Sequence, residues 1–273
     1  MRFRRNTLLA AAVCLCVAGV GRAAELEDQG RAVLEQYQKA VVTVQMVIKQ
    51  KYSMASMGSH EAESKAEATG FVIDPSGLVV LSLATTDPSA MMESMMAGMG
   101  EDMDFKVETN MGDVKILLGD GTEIPAKVVL RDKDLDLAFV RPIDPPSAPL
   151  FAVDMQNPGE ARVLDQLVSL TRLGKVANRE CAASLERIHA VVTRPRTFYV
   201  PSSEPSQTGL GSPIFTPDGK VVGMLALRVI KGSGSGGGIG MMFSGMEDNV
   251  MGVIVPAADI LEAAKQAVEG EKT

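Results

Sequence analysis

Acyl transfer by nucleophilic catalysis needs a hydroxyl or thiol, a base to take its proton and an acid to orient that base. The 273-residue chain offers two histidines for the base, His60 in a polar stretch and His189 between Ile188 and Ala190. Serines gather at Ser202, Ser203, Ser206 and Ser212, and Asp136 sits in the run Asp132–Val140, DKDLDLAFV. Each of these serines and histidines reads first as a surface or strand residue, because geometry has to bring such groups together before their acidity matters. Soft-metal chemistry is the other option. Met91, Met95 and Met99 recur at helical i, i+4 spacing, with Met92 and Met96 beside them, and thioethers suit Cu(I). These methionines read first as an adaptable apolar surface or a lid, since no His or Cys accompanies them and Gly98 and Gly100 weaken a helix there. Met241, Met242 and Met246 repeat the theme. Cys181, between Glu180 and Ala182, reads as a small half-buried residue.

The elements that must position such groups are mostly strands. Thr208–Leu227 (TGLGSPIFTPDGKVVGMLAL) reads as a glycine turn, a short apolar strand, a Pro-Asp-Gly turn and a second apolar strand. Ala68–Thr86 holds two strands around Asp74-Pro75-Ser76-Gly77, and 114–130 reads as a hairpin turning at Gly119-Asp120-Gly121. Val41–Ile48 reads as the first strand, and 185–193 and 197–200 as later ones. Glu25–Lys39 has helical spacing, with Leu26, Val33, Leu34 and Tyr37 near one face, and Ala257–Val268 reads as a closing helix. The polar stretch Lys51–Lys65 reads as an exposed loop, and 232–240 (GSGSGGGIG) as a flexible one.

Residues 1–23 have a basic start, an apolar centre and a small-residue end, the pattern of a secretory signal peptide cut after Ala23. An uncleaved anchor is the competing reading. Cleavage leaves 23 basic and 34 acidic residues, a net charge of −11. That balance disfavours nucleic acid, where phosphate contacts dominate affinity. Only Cys181 then remains, so no internal disulfide is expected and stability must come from the core.

The Thr208–Leu227 stretch resembles the nucleophile segment of the trypsin-like serine proteases, most closely the HtrA/DegP branch: Gly-x-Ser-Gly-Gly-Pro-Leu, a turn, then a strand ending Val-Gly-Ile. Anchored on Pro213 and on Val222-Gly223-Met224, the resemblance places the nucleophile at Leu210. Ala68–Thr86 resembles the segment Gly-Ser-Gly-Phe-Ile-Ile-Asp-Pro-x-Gly that leads to the general base, and counting from Gly77 puts the base at Ala84. DKDLDLAFV resembles the segment of the catalytic aspartate, which falls on Asp136. The segments Pro158–Leu173 and Val250–Pro256 also resemble family strands, so the likeness runs in order over residues 68–268.

The resemblance implies an all-β protein of two antiparallel six-stranded barrels in the chymotrypsin manner, with short N- and C-terminal helices. The expected divisions are a signal peptide at 1–23 and an N-terminal helix, strand and polar loop at 24–67. A first barrel follows at 68–146 with a methionine-rich insert at 88–104, then a second barrel at 147–256 and a helix and tail at 257–273. The PDZ domain usual in that branch has no room. Of the triad positions only Asp136 keeps its residue, and the oxyanion-hole amides would be those of Thr208 and Leu210. The expectation is an exported pseudoprotease, periplasmic or secreted. It would bind a peptide or partner protein, use no cofactor and leave the membrane once the signal is cut. A working endopeptidase with a displaced triad and a periplasmic Cu(I) binder using Met91, Met95 and Met99 are the alternatives.

Overall fold

Val42, Val44, Met46 and Ile48 recur at every second position, so an extended backbone turns them all to one face, and all four are buried. In a computed structural model that describes residues 25–54, 58–87, 105–203, 209–229 and 250–269, this pattern builds twelve strands and two helices. Helix α1 (25–37) is followed by β1 (Val41–Met54), β2 (Gly58–Asp74), β3 (Leu78–Ser82), β4 (Phe105–Leu117), β5 (Glu123–Asp132) and β6 (Leu137–Pro142). These six strands close a barrel in the order β1-β2-β3-β6-β5-β4. Strands β7 (Gln166–Arg172), β8 (Cys181–Val192), β9 (Phe198–Pro201), β10 (Pro213–Phe215), β11 (Val221–Val229) and β12 (Val250–Pro256) close a second, in the order β10-β11-β12-β9-β8-β7. Helix α2 (Ala257–Glu269) ends the described chain. All the strand pairings are antiparallel, as the sequence leads one to expect.

Three apolar clusters hold this together. One fills the first barrel with Val42, Val44, Met46, Leu81, Ile116 and Val140, and one fills the second with Leu167, Ile188, Ile214 and Ile254. The third lies between the barrels. It joins Phe71, Val80, Leu137 and Phe139 to Val168, Leu170, Phe215 and Met224, and takes in Val33 and Tyr37 of α1 and Ile260, Ala263 and Ala267 of α2. Strand β3 is therefore buried along its whole length, Val79 and Leu81 facing the barrel interior and Leu78 and Val80 the seam. Tyr37 stacks on Phe215 with ring centroids 4.4 Å apart and donates its hydroxyl to Gly219 O at 2.9 Å. Arg172 of β7 reaches across the seam. Its guanidinium donates to Val41 O at 2.8 Å, Gln38 O at 2.8 Å and Arg179 O at 3.1 Å.

The expected turns form as read: Gly77 N bonds Asp74 O, Gly121 N bonds Leu118 O and Gly219 N bonds Thr216 O. One expectation fails. Residues 51–54 and 58–65 are not a polar loop but the outer parts of β1 and β2, paired without a break from Val41↔Phe71 to Met54↔Gly58. Their charges misled because this hairpin runs past the barrel, where a strand has no interior face to fill and the apolar alternation disappears. The first barrel thus begins at β1, and the division expected at residue 68 falls inside β2. The leader 1–23, the insert 88–104 and the loop 232–240 lie outside the described residues.

Candidate functional site

Strand β6 starts only after a turn, and the residue before it, Asp136, takes a left-handed backbone angle (φ 57°). That bend aims the carboxylate into the seam, where the residue is 8% exposed. Three donors from both barrels meet it. Ser82 Oγ, at the end of β3, donates to Oδ2 at 2.5 Å, and the amide of Ala84 donates to Oδ1 at 2.6 Å. The amide of Leu227, from β11 of the second barrel, donates to Oδ2 at 2.7 Å. Among the described residues no cation pairs with it. Burial pushes the Asp136 carboxyl up to about 6, against the pull of these three hydrogen bonds, which favour the ionised form.

Ala84 lies in a single 3-10 turn, Leu83–Thr85, that caps β3. The turn is pinned by Leu83 N to Asp136 O at 3.0 Å and by Thr85 Oγ1 to Ser82 O at 2.6 Å. Its methyl can neither accept nor move a proton, so this element contributes only a backbone amide to the carboxylate. Leu210 lies in the turn 209–211 before β10 and is buried, with 6% exposure. Gly211 explains how the turn is held. Its φ is +85°, and a Cβ there would sit 2.1 Å from Thr69 O and 3.3 Å from Ser82 N, so only glycine lets the turn press against β2 and β3. Gly211 N also donates to Leu225 O at 2.7 Å, and Leu225 N to Ser212 O at 2.9 Å. One contact network therefore ties the elements carrying Ala84, Asp136 and Leu210.

The other candidates do not join it. His189 is exposed on β8 where the β8–β9 register shifts, and it bonds no described serine. Ser202 and Ser203 are exposed, and Ser203 bonds the Glu186 carboxylate. Ser212 is fully buried, with its hydroxyl unpartnered among the described residues. Thr208, Ser206, the His60 side chain and the methionines Met91, Met95 and Met99 lie outside the described residues. Cys181 is half-buried, as expected, and burial raises its thiol above the usual range, which keeps it protonated. Sequence reasoning missed Ser82 and the Leu227 amide. Ser82 had a signal, a lone hydroxyl between Leu81 and Leu83 in an apolar strand; a backbone amide has none.

Comparison with known proteins bears on this geometry. The family model described as the trypsin-like peptidase domain matches residues 68–224. Among solved structures, the HtrA-type protease AlgW with a tripeptide is similar in fold, with 15% sequence identity and a TM-score of 0.53. The likeness covers 88% of this chain and 64% of that one, so the chain spans under two thirds of the length of that relative. No curated protein sequence matches.

Proposed function

The chain belongs to the trypsin-like peptidase family, and from that premise we propose that it is an exported, HtrA-related pseudoprotease that binds a peptide or partner protein without cleaving it. The observation that carries this reading is the state of Leu210. It occupies the position that the family motif gives to the nucleophile, offers no atom to attack a carbonyl, and is buried in a turn that Gly211 clamps against the first barrel. Ala84, at the base position, has no proton-transfer group. Asp136 accepts hydrogen bonds from Ser82 and two amides, one of them from the other barrel, so with no base beside it the carboxylate serves to tie these elements together. Losing nucleophile and base together costs on the order of a millionfold in turnover.

Binding is what such a scaffold still offers. Strand β10 covers β11 only as far as Met224, and Gly211, Ser212 and Asp136 take the backbone of Leu225 and the amide of Leu227, so among the described residues the edge of β11 left open lies past Leu227. An extended segment can add to such an edge through main-chain hydrogen bonds. The basic, apolar leader at 1–23 supports export.

The test joins chemistry and binding. The purified chain is treated with a fluorophosphonate probe and, separately, titrated with fluorescently labelled casein. Neither labelling nor cleavage is expected, while the casein binds saturably and is recovered intact. A labelled serine, mapped by mass spectrometry, would replace this reading with that of a working endopeptidase. No binding to casein would remove its second half.

A further inference from the structure

Strand β2 has two partners of unequal length. Strand β1 pairs with it from Gly58 to Phe71, but β3 pairs only between Gly70 and Asp74. From 58 to 67, then, one backbone edge of β2 has no strand beside it among the described residues. At Thr69 the turn of Gly211 closes that edge off. A long open edge is a template for another strand.

The register says which residues offer their backbone there. Val72 donates its N–H to Ala40 O, on the β1 side. Pairing with β1 is unbroken along β2 and backbone direction alternates, so even-numbered residues point at β1. Glu61, Glu63, Lys65 and Glu67 therefore turn N–H and C=O outward, and Glu61 through Lys65 are all exposed.

We infer that this edge is a homodimerisation surface, on which β2 pairs antiparallel with β2 of a second copy about a two-fold axis through Ser64. The charge pattern selects both occupant and register. Glu63-Ser64-Lys65 is its own complement when reversed, so Glu63 meets Lys65 of the second copy twice, Ser64 meets Ser64, and Ala62 meets Ala66. Glu61 meets Glu67, whose carboxylate is already held by Arg179 at 2.5 and 3.0 Å and by Gln45 at 3.1 Å. Lys49, 3.6 Å from Glu63 across β1, extends the alternation of sign. An axis through Glu63 would also make two Glu–Lys pairs, Glu61 with Lys65, but would set Glu63 directly against itself, whereas the like charge at Glu67 in the Ser64 register is already neutralised by Arg179; an axis through Lys65 would oppose Lys65 to itself and Glu63 to Glu67. The result is a continuous sheet β4-β1-β2-β2-β1-β4. The contact is isologous, so it consumes both open β2 edges and stops at two copies.

Sedimentation velocity over a concentration series tests this on the full chain. The parent is expected to pass from monomer to dimer. Glu63→Lys and Lys65→Glu each turn two attractive pairs into repulsive ones and raise the dissociation constant at least about tenfold. Mixing the two variants restores dimerisation, because positions 63 and 65 then face opposite charges in both pairs. Ser64→Cys, with the other cysteines replaced by alanine, forms an inter-chain disulfide on oxidation, since non-hydrogen-bonded pairs lie about 4.5 Å apart at Cα. Ala62→Cys does not, because its counterpart lies about 13 Å away along the strand. A parent that stays monomeric, variants that dimerise unchanged, or a mixture that fails to re-form the dimer would each overturn the inference.

Discussion

Replacing Asp136 with asparagine separates the cost of burying a charge from the benefit of bonding it. An aspartate in the unfolded chain titrates near 3.9, whereas burial raises the folded carboxyl to about 6. The folded state therefore holds this proton more tightly than the unfolded state does. The contribution of Asp136 to stability is largest below about pH 4 and is lost as the pH rises through about 6. Two units of difference correspond to about 3 kcal/mol in full, of which about 2 kcal/mol falls between pH 4 and 7. At 8% exposure, solvent does little to screen this. Asparagine does not titrate. Its NH2 must face one of the donors, from Ala84 or from Ser82 and Leu227, which adds a cost independent of pH. The stability of Asp136→Asn minus that of the parent should therefore rise by about 2 kcal/mol from pH 4 to pH 7, whatever its absolute value. Urea unfolding at four pH values in this window measures it, and the other carboxylates cancel in the difference. A flat difference, or one that falls with pH, would show that the three hydrogen bonds outweigh burial and hold the carboxyl at or below its ordinary range.

Two further outcomes follow from the seam. Gly211→Ala forces a side chain onto Thr69 O at a left-handed backbone position, and is expected to cost about 4 kcal/mol and about 10 °C in Tm, read by thermal melting. Arg172→Met leaves the carbonyls of Gln38, Val41 and Arg179 without their donor, for a loss of about 3 kcal/mol in urea unfolding. Arg172→Lys is not expected to rescue it, because an ammonium lacks the planar fork that spans three acceptors.

What the sequence disclosed depended on whether a feature had a side-chain signature. The turns at Asp74–Gly77 and Gly119–Gly121 carry residues that favour bends, and they form where read. Asp136 stood out because the run DKDLDLAFV resembles the family segment that carries the catalytic aspartate. Its partners did not, since two of the three are backbone amides from segments 52 and 91 residues away. The absence of a hydroxyl at Leu210 is plain from the letter alone, but its burial depends on Gly211 meeting Thr69, a contact between strands far apart in the chain. The outer hairpin of β1 and β2 was invisible for the opposite reason. Solvent on both sides lets it carry Lys51, Glu61, Glu63 and Lys65 without penalty, and polarity then imitates a loop.

The stacking of Tyr37 on Phe215 has a bearing on how the chain is made. The hydroxyl bond to Gly219 spans 182 residues, so α1 leaves the ribosome long before the surface it will rest on exists. Val33 and Tyr37 must wait in solvent, or in the hands of a chaperone, until the tenth strand and its turn have been synthesised. Contacts of such sequence separation form late and slowly. The first helix among the described residues thus finds its seat only after β10 and the turn that follows it exist.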